Sequence, residues 1–197
     1  FLIGDKGKVY KEVSWTIQGT HTVGYNDKSL GFAFVGSATC LDIIPHSSWG
    51  AREAYCAKLL GPAKYVIIAY TAGCGCNVEC KITMQNIHSY HMAKMDFCDI
   101  GCNFVDEGSR RHKGVDWDTK GAHTYCYNDI GLGIIFIATF TGNSPNAATL
   151  KGAQDLIQSA VTKDCLVLDY LGHSDVNTLS PGLAVYDKIK IWLHFKH

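Results

Sequence analysis

The sequence predicts an α/β domain, a mixed central β-sheet flanked by helices, and two observations carry that reading. Short β-branched and aromatic runs alternate with segments of helical periodicity, the pattern of strands interleaved with helices. Helix-start signals stand at the junctions between them.

Tyr65 to Thr71 (Tyr-Val-Ile-Ile-Ala-Tyr-Thr) is a continuous apolar run of strand length and predicts a buried strand. Cys80 to Met95 places Met84, Ile87, His91 and Met95 at helical spacing, which predicts a helix. Leu132 to Thr139 is a second apolar strand. Ser144-Pro145 supplies an N-cap and a first-turn proline ahead of Leu150, Ala153, Leu156, Ile157 and Ala160 on one helical face. Ser180-Pro181 repeats that signal before Leu183, Tyr186, Ile189 and Leu193.

The chain has 197 residues, enough for one domain with a sizeable core and a little more. Lys+Arg and Asp+Glu both number 18, so the balance gives no electrostatic case for nucleic acid or anionic membrane. No apolar run reaches the roughly 18 residues of a membrane span. Nine cysteines without facing CxxC pairs point to disulfides in an oxidising compartment and away from a zinc ribbon. The odd number leaves at least one thiol unpaired within a single chain.

An internal repeat organises the rest. Gln18-Gly-Thr-His-Thr-Val-Gly-Tyr-Asn-Asp is echoed by Lys120-Gly-Ala-His-Thr-Tyr-Cys-Tyr-Asn-Asp. Trp15 and Trp117, His21 and His123, and Asn26 and Asn128 are each 102 residues apart. With one gap the echo extends back to Phe1 and Phe104. That period is too long for a solenoid and implies two copies of one domain type. The first copy stops near Gly36. Residues 1–38 are read as the tail of a truncated upstream copy, and residues 39–197 as the complete domain.

Seven segments stand in a fixed order across residues 40–197. They are Ser48-Trp49-Gly-Ala-Arg, Val66-Ile-Ile-Ala-Tyr-Thr-Ala-Gly73, Tyr90-His-Met92, Cys98-Asp-Ile-Gly-Cys-Asn-Phe104, Gly121-Ala-His-Thr124, Gly172-His-Ser-Asp175 and Ser180-Pro-Gly182. Together they resemble the peptidoglycan recognition proteins, relatives of the zinc-dependent N-acetylmuramoyl-L-alanine amidases. Gly4-Asp-Lys-Gly-Lys-Val-Tyr10 matches the family's hairpin in the first copy. The tandem copies look most like the two-domain intermediate forms of mammals. The resemblance implies an N-acetylmuramoyl-L-alanine amidase-like fold, a secreted extracellular protein and a role in innate immunity.

A hydrolytic zinc needs about three protein ligands and an open position for water. By the resemblance, the three ligand positions are Ala69, His173 and Ser180, and the assisting tyrosine position is Cys102. A methyl and a neutral hydroxyl cannot replace imidazole and thiolate. The expectation is therefore no catalytic residue, no metal, no cofactor and no hydrolysis, with Ser180 serving as a helix N-cap.

The resemblance places peptidoglycan contacts at Tyr70, Thr71, His91, Met95, Asp96, Phe97, Cys102, His123 and Asn128. Aromatic faces and hydrogen-bonding side chains on rigid elements suit sugar hydroxyls, amides and carboxylates. Met95 and Cys102 stand where related forms carry a basic residue and a phenol, so two contacts are weakened. The pair Asp96-Phe97 leans toward lysine-type stems, since a carboxylate repels the extra carboxylate of diaminopimelate. Each residue also has a plainer reading: His91 as a core-edge histidine, Asn128 as a turn former, Tyr70 and Phe97 as packing.

The resemblance further implies bridges Cys56–Cys98 and Cys76–Cys80, with Cys74 a competitor for the second; the family's third bridge joins the Cys40 position to a helix position that is Ser159 here, which leaves Cys165, near the end of that helix, as an alternative partner for Cys40. Cys102 and Cys126 have no expected partner. Bacterial peptidoglycan is the expected partner, with a homo- or heterodimer of related members also open. Two other readings stand beside wall binding: a degenerate or partner-binding member, and, against the ligand pattern, a zinc amidase.

Overall fold

A computed structural model of the chain describes residues 2–4, 9–10, 33–35, 41–73, 75–76, 80–108, 110–140, 142–167, 171–172, 180–192 and 195. It divides into two compact units, Phe1–Leu41 and Asp42–His197. In the first, β1 (Leu2–Gly4) lies between β2 (Val9–Tyr10), antiparallel to it, and β3 (Ala33–Val35), parallel to it.

The second unit is built on a six-stranded mixed sheet. In chain order it contains β4 (Ile43–Ile44), a 3-10 turn (His46–Trp49), β5 (Tyr65–Tyr70), α1 (Lys81–Lys94) and β6 (Phe104–Asp106). There follow β7 (Arg111–Lys113), β8 (Gly131–Phe136), α2 (Ala147–Thr162), β9 (Leu171–Gly172) and α3 (Leu183–Ile189). The strand order is β4-β7-β6-β8-β5-β9, with only β6 and β7 antiparallel. β5 and β8 occupy the middle. Val66, Ile67, Ile68, Leu132, Ile134 and Phe136 are all buried, as expected of strands covered on both faces.

The repeat reappears in the strand pairing. Leu2 pairs with Tyr10 and Ala33 in the first unit, and Val105 pairs with His112 and Ile135 in the second. The same β–β–β motif thus occurs twice, in the same order and register.

Several boundaries differ from the sequence-based expectation for identifiable reasons. β8 ends at Phe136 and not at Thr139 because both neighbours end there: Tyr70 and Asp106 each pair with Phe136. The cap of α2 is Asn146 and not Ser144; its Oδ1 accepts the N–H of Thr149 at 2.9 Å and the Thr149 hydroxyl at 3.1 Å. The buried face of α2 is accordingly Thr149, Gly152, Ala153, Leu156 and Ala160. Ser180 does not cap α3 either. Gly182 holds that position without a side-chain bond, and the Ser180 Oγ accepts the N–H of Tyr70 at 3.2 Å. Among the described residues, the pairing of β5 with β9 reaches Ile68, short of Tyr70.

Cys56–Cys98 and Cys76–Cys80 form disulfides. The suggested Cys40–Cys165 bridge is corrected: Cys165 is a free thiol directed at the Lys163 carbonyl. Cys40 and Cys74 lie outside the described residues. Among the described residues, no helix is long and apolar enough to cross a membrane.

Two buried polar residues hold this layer together. Asn103 is fully buried, and its Oδ1 accepts the Gly133 N–H at 2.8 Å while its Nδ2 donates to the carbonyls of Asp116 (2.7 Å) and Thr119 (2.9 Å). Its backbone N–H donates to Gly133 O at 3.0 Å, and its carbonyl accepts the Gly114 N–H at 2.8 Å. Asp106, on β6, accepts the Gly108 N–H through Oδ1 at 2.6 Å, while its Oδ2 is buried without a hydrogen-bond partner. Gly152 lets α2 approach here, since a Cβ on it would overlap Asp106 Oδ2 and crowd Arg111.

Replacing Asn103 by Ala strands three buried backbone groups at roughly 1–3 kcal/mol each. Urea denaturation of Asn103→Ala is expected to show a loss of about 3–5 kcal/mol. Burial pushes the Asp106 carboxyl up to about 7 from 3.8, against the pull of the Gly108 N–H and Arg111. The folded chain therefore keeps a proton that the unfolded chain has lost between those values. Stability from this group is full below pH 3.8 and is lost as pH rises through about 7. Asp106→Asn, which can still accept the Gly108 N–H, is expected to flatten that part of the profile. The variant should gain about 2–4 kcal/mol relative to wild type between acid and mildly alkaline urea titrations.

Candidate ligand-binding site

Two groups of predicted contact residues take shape around the ends of β5 and α1. The first is organised by His91 on the last turn of α1. Its Nδ1 accepts the N–H of Gly101 at 3.0 Å, so the neutral ring carries its proton on Nε2 and presents a donor. Burial, followed by the field of His88, holds its pKa below the ordinary histidine value, which favours that neutral form. The Phe97 ring lies 5.3 Å away at an interplanar angle of 47°, and the Phe97 N–H bonds the His91 carbonyl at 3.0 Å. Met95, the C-cap of α1, is 47% exposed. Asp96 is exposed and adopts φ 55, which reverses the chain toward Phe97.

His91 is connected to His123 through one short path. Gly101, its donor, accepts the Ala122 N–H at 2.7 Å, immediately before His123. The His123 ring is seated over β8: its Nε2 lies 3.2 Å from Gly131 O, and a Cβ at Gly133 would stand 2.6 Å from its Cγ. Only glycine at 133 leaves room for the imidazole. Asn128 shapes the turn beneath it, its Oδ1 accepting the N–H groups of His123 (2.9 Å) and Thr124 (2.8 Å). This is the turn role that asparagine plays well.

The second group sits at the end of β5. Tyr70 is half-buried, its ring 6.3 Å from Phe140 in an edge-to-face arrangement. Thr71 donates its N–H to Phe136 O at 3.0 Å and keeps a buried hydroxyl without a partner. Ser180 is joined to this group by its bond from Tyr70.

Cys102 requires correction. Its thiol is 2% exposed, packed with Trp49, Met84, Ile100 and Val105, and burial pushes its pKa up to about 12. It is a protonated thiol within the core, which weighs against the expected ligand contact. Phe140 and Gly133 escaped the sequence reading, the first because it follows a strand whose end was misplaced, the second because a glycine carries no chemistry of its own.

Residues 59–183 match the family model described as N-acetylmuramoyl-L-alanine amidase. Human peptidoglycan recognition protein 3 is 44% identical over 255 residues, covering 100% of this chain and 75% of the relative. The chain belongs to the peptidoglycan recognition protein family.

Among solved structures of the family, that of human PGRP-IβC in complex with glycosamyl muramyl pentapeptide is 48% identical with TM-score 0.77, covering 80% of this chain and all of that one. Drosophila PGRP-SA is 33% identical with TM-score 0.77, covering 80% of this chain and 95% of that one. The match to protein 3 extends over 255 residues against 197 here, so 58 positions of the relative have no counterpart in this chain.

The zinc of the family's amidases does not fit the residues present. Ala69, on β5, offers only a methyl group, and the Ser180 hydroxyl is a neutral oxygen engaged by the Tyr70 N–H. His173 lies outside the described residues. Two of the three positions therefore lack the donor types that a catalytic zinc takes.

Asn128→Ala removes the acceptor of two backbone N–H groups and is expected to cost about 1–3 kcal/mol in chemical denaturation. The same variant should displace the His123 side-chain resonances in NMR spectra, because the turn that seats the ring is released.

Proposed function

We propose that the chain is a secreted recognition protein of innate immunity that binds bacterial peptidoglycan through its second unit and does not hydrolyse it. The observation that carries this reading is one arrangement: the Gly101 N–H orients His91, the His91 carbonyl holds Phe97, and the Gly101 carbonyl holds Ala122 next to His123. An imidazole donor, an exposed edge of aromatic surface and a half-buried Tyr70 are suited to amides and sugar hydroxyls. The relatives are peptidoglycan recognition proteins, and one solved relative holds a muramyl pentapeptide.

Tyr70, Thr71, His91, Met95, Asp96, Phe97, His123 and Asn128 form the proposed site. His91, Phe97 and Tyr70 supply direct contact; Asn128 acts by shaping the turn under His123. Asp96 projects a carboxylate at the exit of α1, which disfavours a stem with an additional carboxylate and supports a preference for lysine-type peptidoglycan. Burial of Cys102 removes one contact from the set, and affinity is correspondingly lower. Residues 1–38 are proposed as the reduced copy of an upstream repeat. The 58 positions absent here are close in number to the residues that follow Phe140 in the second unit, where α2, β9 and α3 lie. A homodimer, or a heterodimer with a related member, is the proposed assembly.

The deciding experiment is a pull-down of the oxidised full chain by insoluble lysine-type and diaminopimelate-type peptidoglycan, with zinc present and absent. Retention is expected on the lysine-type wall, weakened about 5- to 30-fold by His91→Ala, as for one hydrogen bond of about 1–2 kcal/mol. No stem peptide should be released from muropeptide in either buffer. A folded protein that neither wall retains would favour the degenerate, partner-binding reading; zinc-dependent stem release would overturn the non-hydrolytic one.

A further inference from the structure

Away from the ligand contacts, three side chains converge between the 3-10 turn, α1 and the segment after Cys98. His46 Nε2 stands 2.9 Å from Asp99 Oδ2 and 3.1 Å from Oδ1, and His88 Nε2 stands 2.9 Å from Oδ1. All three donors lie within 4.8 Å of one another. We propose that His46, His88 and Asp99 bind a divalent transition-metal ion of the zinc class, and that nothing at Ala69 or Ser180 takes part.

The first support is geometric. Ligand atoms around tetrahedral zinc at bond lengths of about 2.0–2.2 Å lie about 3.3–3.6 Å apart, so the separations of 2.9–3.1 Å here need to open by only about half an ångström. The second is the state of the polar atoms. His88 is 2% exposed and Asp99 1% exposed, yet neither His88 Nε2 nor Asp99 Oδ2 has a hydrogen-bond partner. His88 Nε2 approaches Asp99 Oδ1, and His46 Nε2 approaches Asp99 Oδ2, each at 2.9 Å as an ion-pair contact outside hydrogen-bond geometry. Two buried orphan atoms aimed at one point are costly as they stand, and a cation would satisfy both.

The charge balance agrees. Two imidazoles and a carboxylate that is 1% exposed form a donor set whose charge a divalent ion would offset. Two imidazoles with one carboxylate select zinc, cobalt, nickel or copper over calcium and magnesium.

The ligands are also held in place. The Trp49 ring packs edge-on against His46 at 5.0 Å and against His88 at 5.3 Å, and the Ile100 N–H fixes Asp99 Oδ1 at 2.6 Å. The Cys56–Cys98 bridge anchors the residue next to Asp99. His46, with 21% of its side chain exposed, is the entry side. A bound ion would brace α1 against the Asp99–Gly101 segment, whose Gly101 N–H orients His91.

The test uses the oxidised full chain stripped with chelator. Titration with cobalt should produce saturable ligand-field absorption that zinc displaces, and one equivalent of zinc should shift the imidazole nitrogens of His46 and His88 in long-range NMR spectra. His46→Arg, whose guanidinium can pair with Asp99 and preserve the fold, should weaken zinc binding by at least about tenfold. His88→Gln should do the same, and if it fails to fold, His46→Arg alone decides. Unmoved His46 and His88 resonances, or wild-type zinc affinity in the folded variants, would overturn the site. Peptidoglycan retention in metal-free buffer should be the same for His46→Arg and wild type, so failure of the metal site leaves the wall-binding reading to its own test.

Discussion

The second unit depends on Asn103 more than on any single apolar contact. A buried amide with its donors and its acceptor all engaged is a directional constraint, whereas apolar packing is not. Through Gly133 it sets the position of β6 against β8, and through the Asp116 and Thr119 carbonyls it pins the segment leaving β7. That segment leads to Gly121 and Ala122, and so to the path between His91 and His123. The site inherits its geometry from this amide: strand register, loop exit and imidazole seat are consecutive consequences of it.

How far the sequence revealed this depended on whether a feature was local. Tyr65–Tyr70 was legible because a strand buried on both faces is written as an unbroken apolar run. The helix over Lys81–Lys94 was legible from spacing alone. Both Ser-Pro signals misplaced a cap, and for different reasons. At α2 the better acceptor, Asn146, stood two residues further on. At α3 the Ser180 hydroxyl was claimed by Tyr70, a residue 110 positions away. The same logic hid the burial of Cys102, which follows from Trp49, Met84 and Ile100 closing around it. It also hid the convergence of His46, His88 and Asp99, which come from three separate segments.

The fold tolerates the altered ligand positions because a second interaction does the geometric work. The Ser180 Oγ meets the Tyr70 N–H at the end of β5, so the approach to α3 is tied to the sheet by a neutral hydrogen bond. A thiolate or an imidazole is unnecessary for that role. Structure and hydrolytic chemistry are thus separable at this place in the fold, which is why membership in an amidase-related family says little about cleavage.

The internal repeat separates framework from contact within the proposed site. His123 requires glycine at 133, and the first copy carries His21 and Gly31 at the same separation. Asn128 closes the turn under His123, and Asn26 stands at the equivalent place. The first unit repeats the pairing of β6, β7 and β8, register included. What recurs is therefore the sequence pattern of histidine, asparagine and glycine, together with the β–β–β pairing. Tyr70, His91 and Phe97 belong to β5 and to the end of α1, which precede the repeated segment in the second copy. On the proposed function, a lone copy of that segment cannot grip a muropeptide, because the donor and the aromatic surface come from elements outside it. Ligand contact then rests with the second unit, where Asn128 acts through the turn under His123.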